Sequence, residues 1–375
     1  MTDIRVLMVG GRRTGKSSIL AGMIHQMSNN VELCRKYIQI TPCSGRDSTA
    51  VDLDEKRQKL ASFIENHPIG VHYLVDFGAD DHFNTYNFKA KIPSENGGIY
   101  KGNINIEFID SPGESYERDT TPEKYEQLVN YVKNSDIFVI AIDTPYLMGN
   151  KSDSGKFMKV SGRDVFREIL QEHIAFKRDD DYKKVIFTLV KCEKWRNNLE
   201  EVSNKLKQDN YFGPLMDFLH EDKRWSYEIL PVLTAGSIEF TEFGKPLIVK
   251  DSGEKCSRLG NNSPYYRMRD GNNRMLKESD VIKDEDFLLY LPYYSWFKNL
   301  NNEYKPENCD QLALHIWRYI IFKTEIECSH SIFPNWLRGF PSMSVMKDLI
   351  KRMEREGLIV DSGDGIKHIR KIEKV

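Results

Sequence analysis

The sequence predicts an α/β fold, a mostly parallel sheet with helices packed on both faces. Two observations predict it. A short apolar run at residues 4–9 ends on two glycines and leads into a helical pattern. Between residues 104 and 233, apolar runs of strand length alternate with amphipathic stretches of helix length. Such alternation implies crossover connections, and crossovers join parallel neighbours.

Each element follows from its spacing. Residues 4–9 (IRVLMV) read as a buried first strand, and residues 16–26 as a helix with Leu20, Met23 and Ile24 on one face. Residues 37–41 suit a short strand, and residues 51–66 a helix opened by Ser48 and Thr49. Residues 86–92 alternate as a half-buried strand does, a turn spans residues 94–98, and residues 104–109 return, so a hairpin is expected. Helices are then expected at residues 122–133, 163–175 and 199–219, leading to strands at 137–142, 185–190 and 227–233. After Thr234 the alternation breaks into a polar, turn-rich stretch at about residues 241–302, with a helix resuming at 311–323. The expected organisation is one domain over residues 1–325, carrying insertions at about 31–84 and 241–302. A small C-terminal α+β appendage follows over 326–375, a helix at 342–356 and a hairpin at 358–372.

Composition narrows the class. The 375 residues are 40% hydrophobic and 29% charged with a net charge of −2, so no global field steers the chain toward nucleic acid or an anionic membrane. The basic residues of the appendage are interleaved with acidic ones, which fits a solvated surface, with partner docking as the sharper alternative. The cysteines (Cys34, Cys43, Cys192, Cys256, Cys309 and Cys328) form no CxxC pair, pointing to reduced thiols and a cytoplasmic setting. The N-terminus lacks the pattern of a signal peptide, and no apolar run approaches the ~20 residues of a membrane helix.

The chemistry concentrates in four motifs. Gly10-Gly11-Arg12-Arg13-Thr14-Gly15-Lys16-Ser17 is a full GxxxxGK(S/T) between a strand and a helix. Glycines at both ends let the backbone fold into a nest of N–H groups, and the helix start at Ser17 and Ser18 adds its own free N–H groups and positive dipole end. Lys16 can bridge β- and γ-phosphates, and the Ser17 hydroxyl suits Mg²⁺. Asp110-Ser111-Pro112-Gly113 follows the strand at 104–109; the carboxylate is the expected second partner of Mg²⁺, and the Gly113 N–H the expected γ-phosphate contact. After the strand at 185–190 comes Lys191-Cys192-Glu193: Lys191 can lay its alkyl stem over the base, and the Glu193 carboxylate can accept from the N1–H and amine of guanine, a pairing adenine does not offer. Thr234-Ala235-Gly236 follows the strand at 227–233 and is weak on its own.

In this order the motifs resemble those of TRAFAC-class P-loop GTPases, of translation-factor and Ras-like type. The resemblance implies a P-loop NTPase fold of small-GTPase type with GTP or GDP as ligand and Mg²⁺ as cofactor. It implies hydrolysis of the γ-phosphate with a conformational switch, and a backbone N–H of the 234–236 loop near guanine O6. The chain departs from the family in three places. Glu114 stands where a water-orienting glutamine is common; it either orients water or is a solvent-facing helix-start residue. Glu193 replaces the aspartate of (N/T)KxD, and Val190 replaces the polar residue that ties that loop to the P-loop. The switch-one threonine is expected at Thr85, with Thr41 and Thr49 less well placed. Arg13, or its neighbour Arg12, could act as an arginine finger in cis, or face solvent or a partner. Residues 304–311 leading into the last core helix, with the DSPGE and TAG forms of the motifs, resemble the bacterial double-GTPase-like proteins of conflict and defence systems. That implies antiviral defence or signalling, with protein partners or self-association. A nucleotide-binding scaffold with negligible turnover and an ATPase of the same fold remain the alternatives.

Overall fold

The computed structural model describes residues 3–11, 14–29, 39–43, 49–74, 82–91, 104–113, 115, 121–149, 182–244 and 294–329, with short pieces between 248 and 280 and between 351 and 368. The helix expected at 163–175, nearly all of that at 342–356, and Arg12, Arg13 and Glu114 lie outside the described residues.

The main sheet contains β1 (Asp3–Val9), β2 (Gln39–Pro42), β4 (Asn84–Lys91), β5 (Ile104–Asp110), β6 (Ile137–Asp143), β7 (Lys183–Val190) and β8 (Trp225–Pro231). Their order is β2-β4-β5-β1-β6-β7-β8. From β5 to β8 all pairs are parallel, and the expected hairpin appears as the antiparallel β4–β5 pair, with β2 antiparallel outside it. β6 and β7 are buried along their whole length, as parallel strands covered on both faces must be. That is why they read as unbroken apolar runs rather than alternations.

Two cores lie on the two faces. On one face α1 (Lys16–Asn29) and the last long helix (Cys309–Ser329) pack over β1, β4, β5 and β6 around Met23, Phe88, Phe108 and Trp317. On the other face three helices cover Leu7, Ile109, Phe138 and Phe187: Pro122–Asn134, Leu199–Lys207 and Phe212–Glu221. The single helix expected over 199–219 is two helices. The Asp209 carboxylate accepts from the backbone N–H groups of Tyr211 (3.0 Å) and Phe212 (3.2 Å), capping a new helix start. In chain order the helices among the described residues are α1 (16–29), α2 (Thr49–Asn66), α3 (122–134), α4 (Thr144–Met148), α5 (199–207), α6 (212–221) and α7 (309–329).

Stretches on either side of the main alternation meet in a second, antiparallel sheet. β3 (Val71–Leu74) pairs with β13 (Tyr294–Asn299), which pairs with β9 (Ile238–Gly244). On its other side β3 continues to β10 (Ser257–Leu259), β11 (Met268–Arg269) and β12 (Met275–Leu276). A third core joins this sheet to α2 through Leu60, Ile64, Phe240 and Phe297, and Ala235 belongs to it. Asn299 locks the junction, donating to the carbonyls of Ile64 and His67, each at 2.7 Å. Residues Val360–Asp361 and Lys367–His368 form a separate antiparallel ribbon. No helix among the described residues is long and apolar enough to cross a membrane.

Candidate functional site

The motifs converge because parallel strands end on the same edge of the sheet. β1, β5, β6, β7 and β8 all point one way, so the loops after them open side by side at their C-terminal ends, where ligands of open α/β sheets bind.

At the loop after β1 the chain turns sharply at Gly10, with φ +151°; a Cβ there would lie 2.8 Å from the Ala141 carbonyl oxygen, so only glycine lets β1 leave this close to β6. Thr14 closes the loop, its hydroxyl donating to the Gly11 carbonyl at 3.0 Å. Lys16 folds back over the loop, is buried, and donates to the carbonyls of Gly10 (2.9 Å) and Gly11 (3.3 Å). Its ammonium therefore rests against the start of the glycine loop, and α1 begins at this lysine. Ser17 and Ser18 occupy the first turn, where helix N–H groups have no intrahelical partner.

The loop after β5 reaches the same place. Ser17 donates its hydroxyl to the Asp110 carboxylate at 2.5 Å, and Asp110 is buried. The loop is pinned to β1 by Ser111, whose hydroxyl donates to the Met8 carbonyl at 2.8 Å. Gly113 sits in the turn that the Ser115 N–H closes onto the Pro112 carbonyl (3.1 Å). Thr85 is not brought to this point. It lies opposite Ile109, one pleat away from Asp110, and is exposed, while Asn84 is the residue in register with Asp110. Opposed residues of an antiparallel pair share a face and adjacent ones do not, so Thr85 and Asp110 point to opposite faces. The sequence does not single out Asn84, because the long connection between β4 and β5 does not fix their register.

The loop after β7 begins at Lys191 in the left-handed region, φ +59°, uncommon for a residue with a side chain. Glu193 is buried, and its Oε1 accepts from the backbone N–H groups of Ala235 and Gly236, each at 3.3 Å. Burial pushes the Glu193 carboxyl up to about 7 against the pull of those N–H groups and of Arg196. Arg196 donates to the Gly236 carbonyl at 2.5 Å and pairs with Glu307 at 3.3 Å. The structure thus brings Glu193, Ala235 and Gly236 together, with Thr234 buried beside them. Gly236 has φ +78°, and a Cβ on it would fall 1.6 Å from the Lys305 carbonyl oxygen. The loop is clamped on its outer side by Lys305, whose N–H donates to the Ala235 carbonyl at 3.0 Å. Arg196 carries no motif in the sequence, and the 304–311 stretch gives no sign there that Lys305 and Glu307 reach this loop; the tertiary fold brings them to it.

The sheet order, the glycine loop and the converging strand ends settle the architecture. The fold is a P-loop NTPase-like α/β fold. No protein-family model matches the chain, and no curated protein matches it. Among solved structures the chain is similar to the GTPase-like domain of S. cerevisiae Ski7 bound to GTP, at 12% identity and a TM-score of 0.35, over 80% of this chain and 71% of that one. The same domain bound to GDP and inorganic phosphate gives 11% identity and a TM-score of 0.33, over 80% and 71%. The Methanosarcina barkeri Roco2 RocCORdC bound to GDP gives 10% identity and a TM-score of 0.26, over 62% of this chain and 44% of that one.

Proposed function

We propose that the chain binds GTP with Mg²⁺ and hydrolyses its γ-phosphate, switching conformation as that phosphate leaves. One observation carries this reading: Lys16 and Ser17, at the start of α1, meet Asp110, which is distant in the sequence, beside the glycine loop, with Ser17 and Asp110 at 2.5 Å. The nest would take the β-phosphate and Lys16 the bridging charge, exchanging its two carbonyl partners for phosphate oxygens. A hydroxyl and a carboxylate are hard oxygen donors, which suits Mg²⁺ and would not suit a soft metal. Bound there through Ser17 and Asp110, the ion would neutralise charge on the β- and γ-phosphate oxygens. Asn84 would take the place beside Asp110 at which Thr85 is expected from sequence.

Guanine is the base we infer, supported by a buried carboxylate facing two backbone N–H groups. A guanine edge has donors for the first and an acceptor, O6, for the second, whereas adenine reverses the pattern. Gly113 is proposed as the switch contact, and Glu114 and Arg13 as candidates for ordering water and stabilising charge. The resemblance to bacterial double-GTPase-like proteins supports a defence or signalling setting with protein partners. A scaffold with negligible turnover is favoured by one observation, that Thr85 faces away from Asp110. Single-turnover phosphate release from GTP and from ATP tests the proposal: GTP-selective, Mg²⁺-dependent release absent from Lys16→Ala is expected. Tight GTP binding without release would select the scaffold, and equal use of both nucleotides would remove the guanine assignment.

A further inference from the structure

The loop that carries Lys191 and Glu193 has lost the polar residue by which such loops are tied down. Its first position is Val190, which is fully buried in the apolar core. The tie comes instead from the end of β6. The Lys191 ammonium forms an ion pair with the Asp143 carboxylate, and the next residue on each strand repeats the link, Thr144 Oγ1 meeting Cys192 Sγ at 3.0 Å. Asp143 precedes α4 as its N-cap residue, yet its side chain makes no capping hydrogen bond. Its Oδ1 has no hydrogen-bond partner among the described residues. The carboxylate is therefore committed to Lys191 rather than to the helix it precedes. Asp143 is only 4% exposed and Lys191 only partly so, which makes the pair a desolvated one. A non-glycine residue in the left-handed region costs about 1–3 kcal/mol and persists only where its surroundings over-determine it. Here the ion pair at the side chain and the Cys192 contact next door help to hold it, with the Lys191 ammonium also over the Phe297 ring, 5.8 Å from its centroid.

We propose that Asp143 is a positioning residue for the base. It pins the far end of Lys191 so that the four-carbon stem lies as a fixed platform at the mouth of the loop, beside Glu193. The proposal rests on the nucleotide-binding reading above. Without Asp143 the Lys191 stem would sample its full set of rotamers, and base binding would have to order it. Phosphate binding, at the other end of the site, needs no such platform.

A double-mutant cycle tests this, with Asp143→Asn, Lys191→Met and the pair, each titrated with a fluorescent GDP and with inorganic tripolyphosphate. The expected result is about tenfold weaker GDP binding for either single variant, tripolyphosphate affinity within about twofold, and a double variant no weaker than the singles. Additive losses, equal losses of GDP and tripolyphosphate, or an Asp143→Asn variant that binds GDP as wild type does would overturn it. If Asp143→Asn does not fold, Lys191→Met must still lose GDP and keep tripolyphosphate, and failure to do so overturns the proposal. Wild-type protein that binds tripolyphosphate and no GDP would instead overturn the nucleotide reading, and this inference with it.

Discussion

At the proposed phosphate end of the site, one unbroken run of sequence, residues 10–17, supplies the glycine loop, the lysine and the hydroxyl, and one further residue, Asp110, meets that hydroxyl. At the base end nothing is local. Glu193 reaches Ala235 and Gly236 across the sheet edge, Arg196 reaches Glu307, Lys305 closes over Gly236, and Asp143 holds Lys191. A backbone nest needs only the right dihedral angles, so its sequence is constrained position by position. A recognition loop needs only that some group fix it, so the fixing group is free to sit on another strand.

Substitutions can break this contrast in decreasing order of effect. Lys16→Ala should abolish binding of nucleotide and tripolyphosphate alike, a loss of at least about a hundredfold, read by titration calorimetry. Gly236→Ala forces a Cβ onto the Lys305 carbonyl in a left-handed backbone. It should destabilise the fold by about 3–5 kcal/mol in denaturant melts, and no comparable single-atom change in residues 12–14 should do so.

Glu193→Gln sharpens the base end. Glu193 has its carboxyl raised by burial from 4.5 to about 7, so the folded state holds a proton that the unfolded state releases. Its contribution is therefore present below about pH 4.5 and lost as pH rises to about 7, on the order of 3 kcal/mol across that window. The Gln variant should show a flatter stability–pH curve and be the more stable protein at pH 8. Because guanine needs the ionised carboxylate, wild-type GDP affinity should climb through about pH 7, and the variant should lose about tenfold in GTP-over-ATP preference. Ser17→Ala should weaken GTP binding about tenfold in Mg²⁺ and little in its absence. Thr85→Ala, at the bottom of the series, should change Mg²⁺-dependent binding by no more than about twofold, because its side chain lies on the face away from Asp110.

The sequence made the main sheet legible because β1, β6 and β7 are buried on both faces and the hairpin strand β4 alternates. The glycine loop was legible because its pattern is contiguous and its glycines serve the backbone, as the tight approach of Gly10 to Ala141 shows. Less was legible where the contact is long-range or the cap is subtle. The break between α5 and α6 depends on Asp209 turning back on two N–H groups, and an aspartate in a helical pattern does not announce that. The second sheet joins residues 71–74 to residues 257–259 and 294–299, and short pairings across such sequence distance leave no periodicity to read. Thr85 was the natural guess for a hydroxyl at the strand end, and a one-residue difference in register puts Asn84 there instead. Asp143 was hidden at the end of an apolar strand, where a carboxylate looks like an ordinary helix cap.

The central claim is that these two ends form one guanine-nucleotide site. It is tested most directly by measuring GTP and ATP affinity in Mg²⁺ on wild type and Lys16→Ala. The account predicts one nucleotide per chain, GTP bound more tightly than ATP, and no binding to the variant. Equal affinity for the two nucleotides, or GTP binding that survives Lys16→Ala, would contradict it.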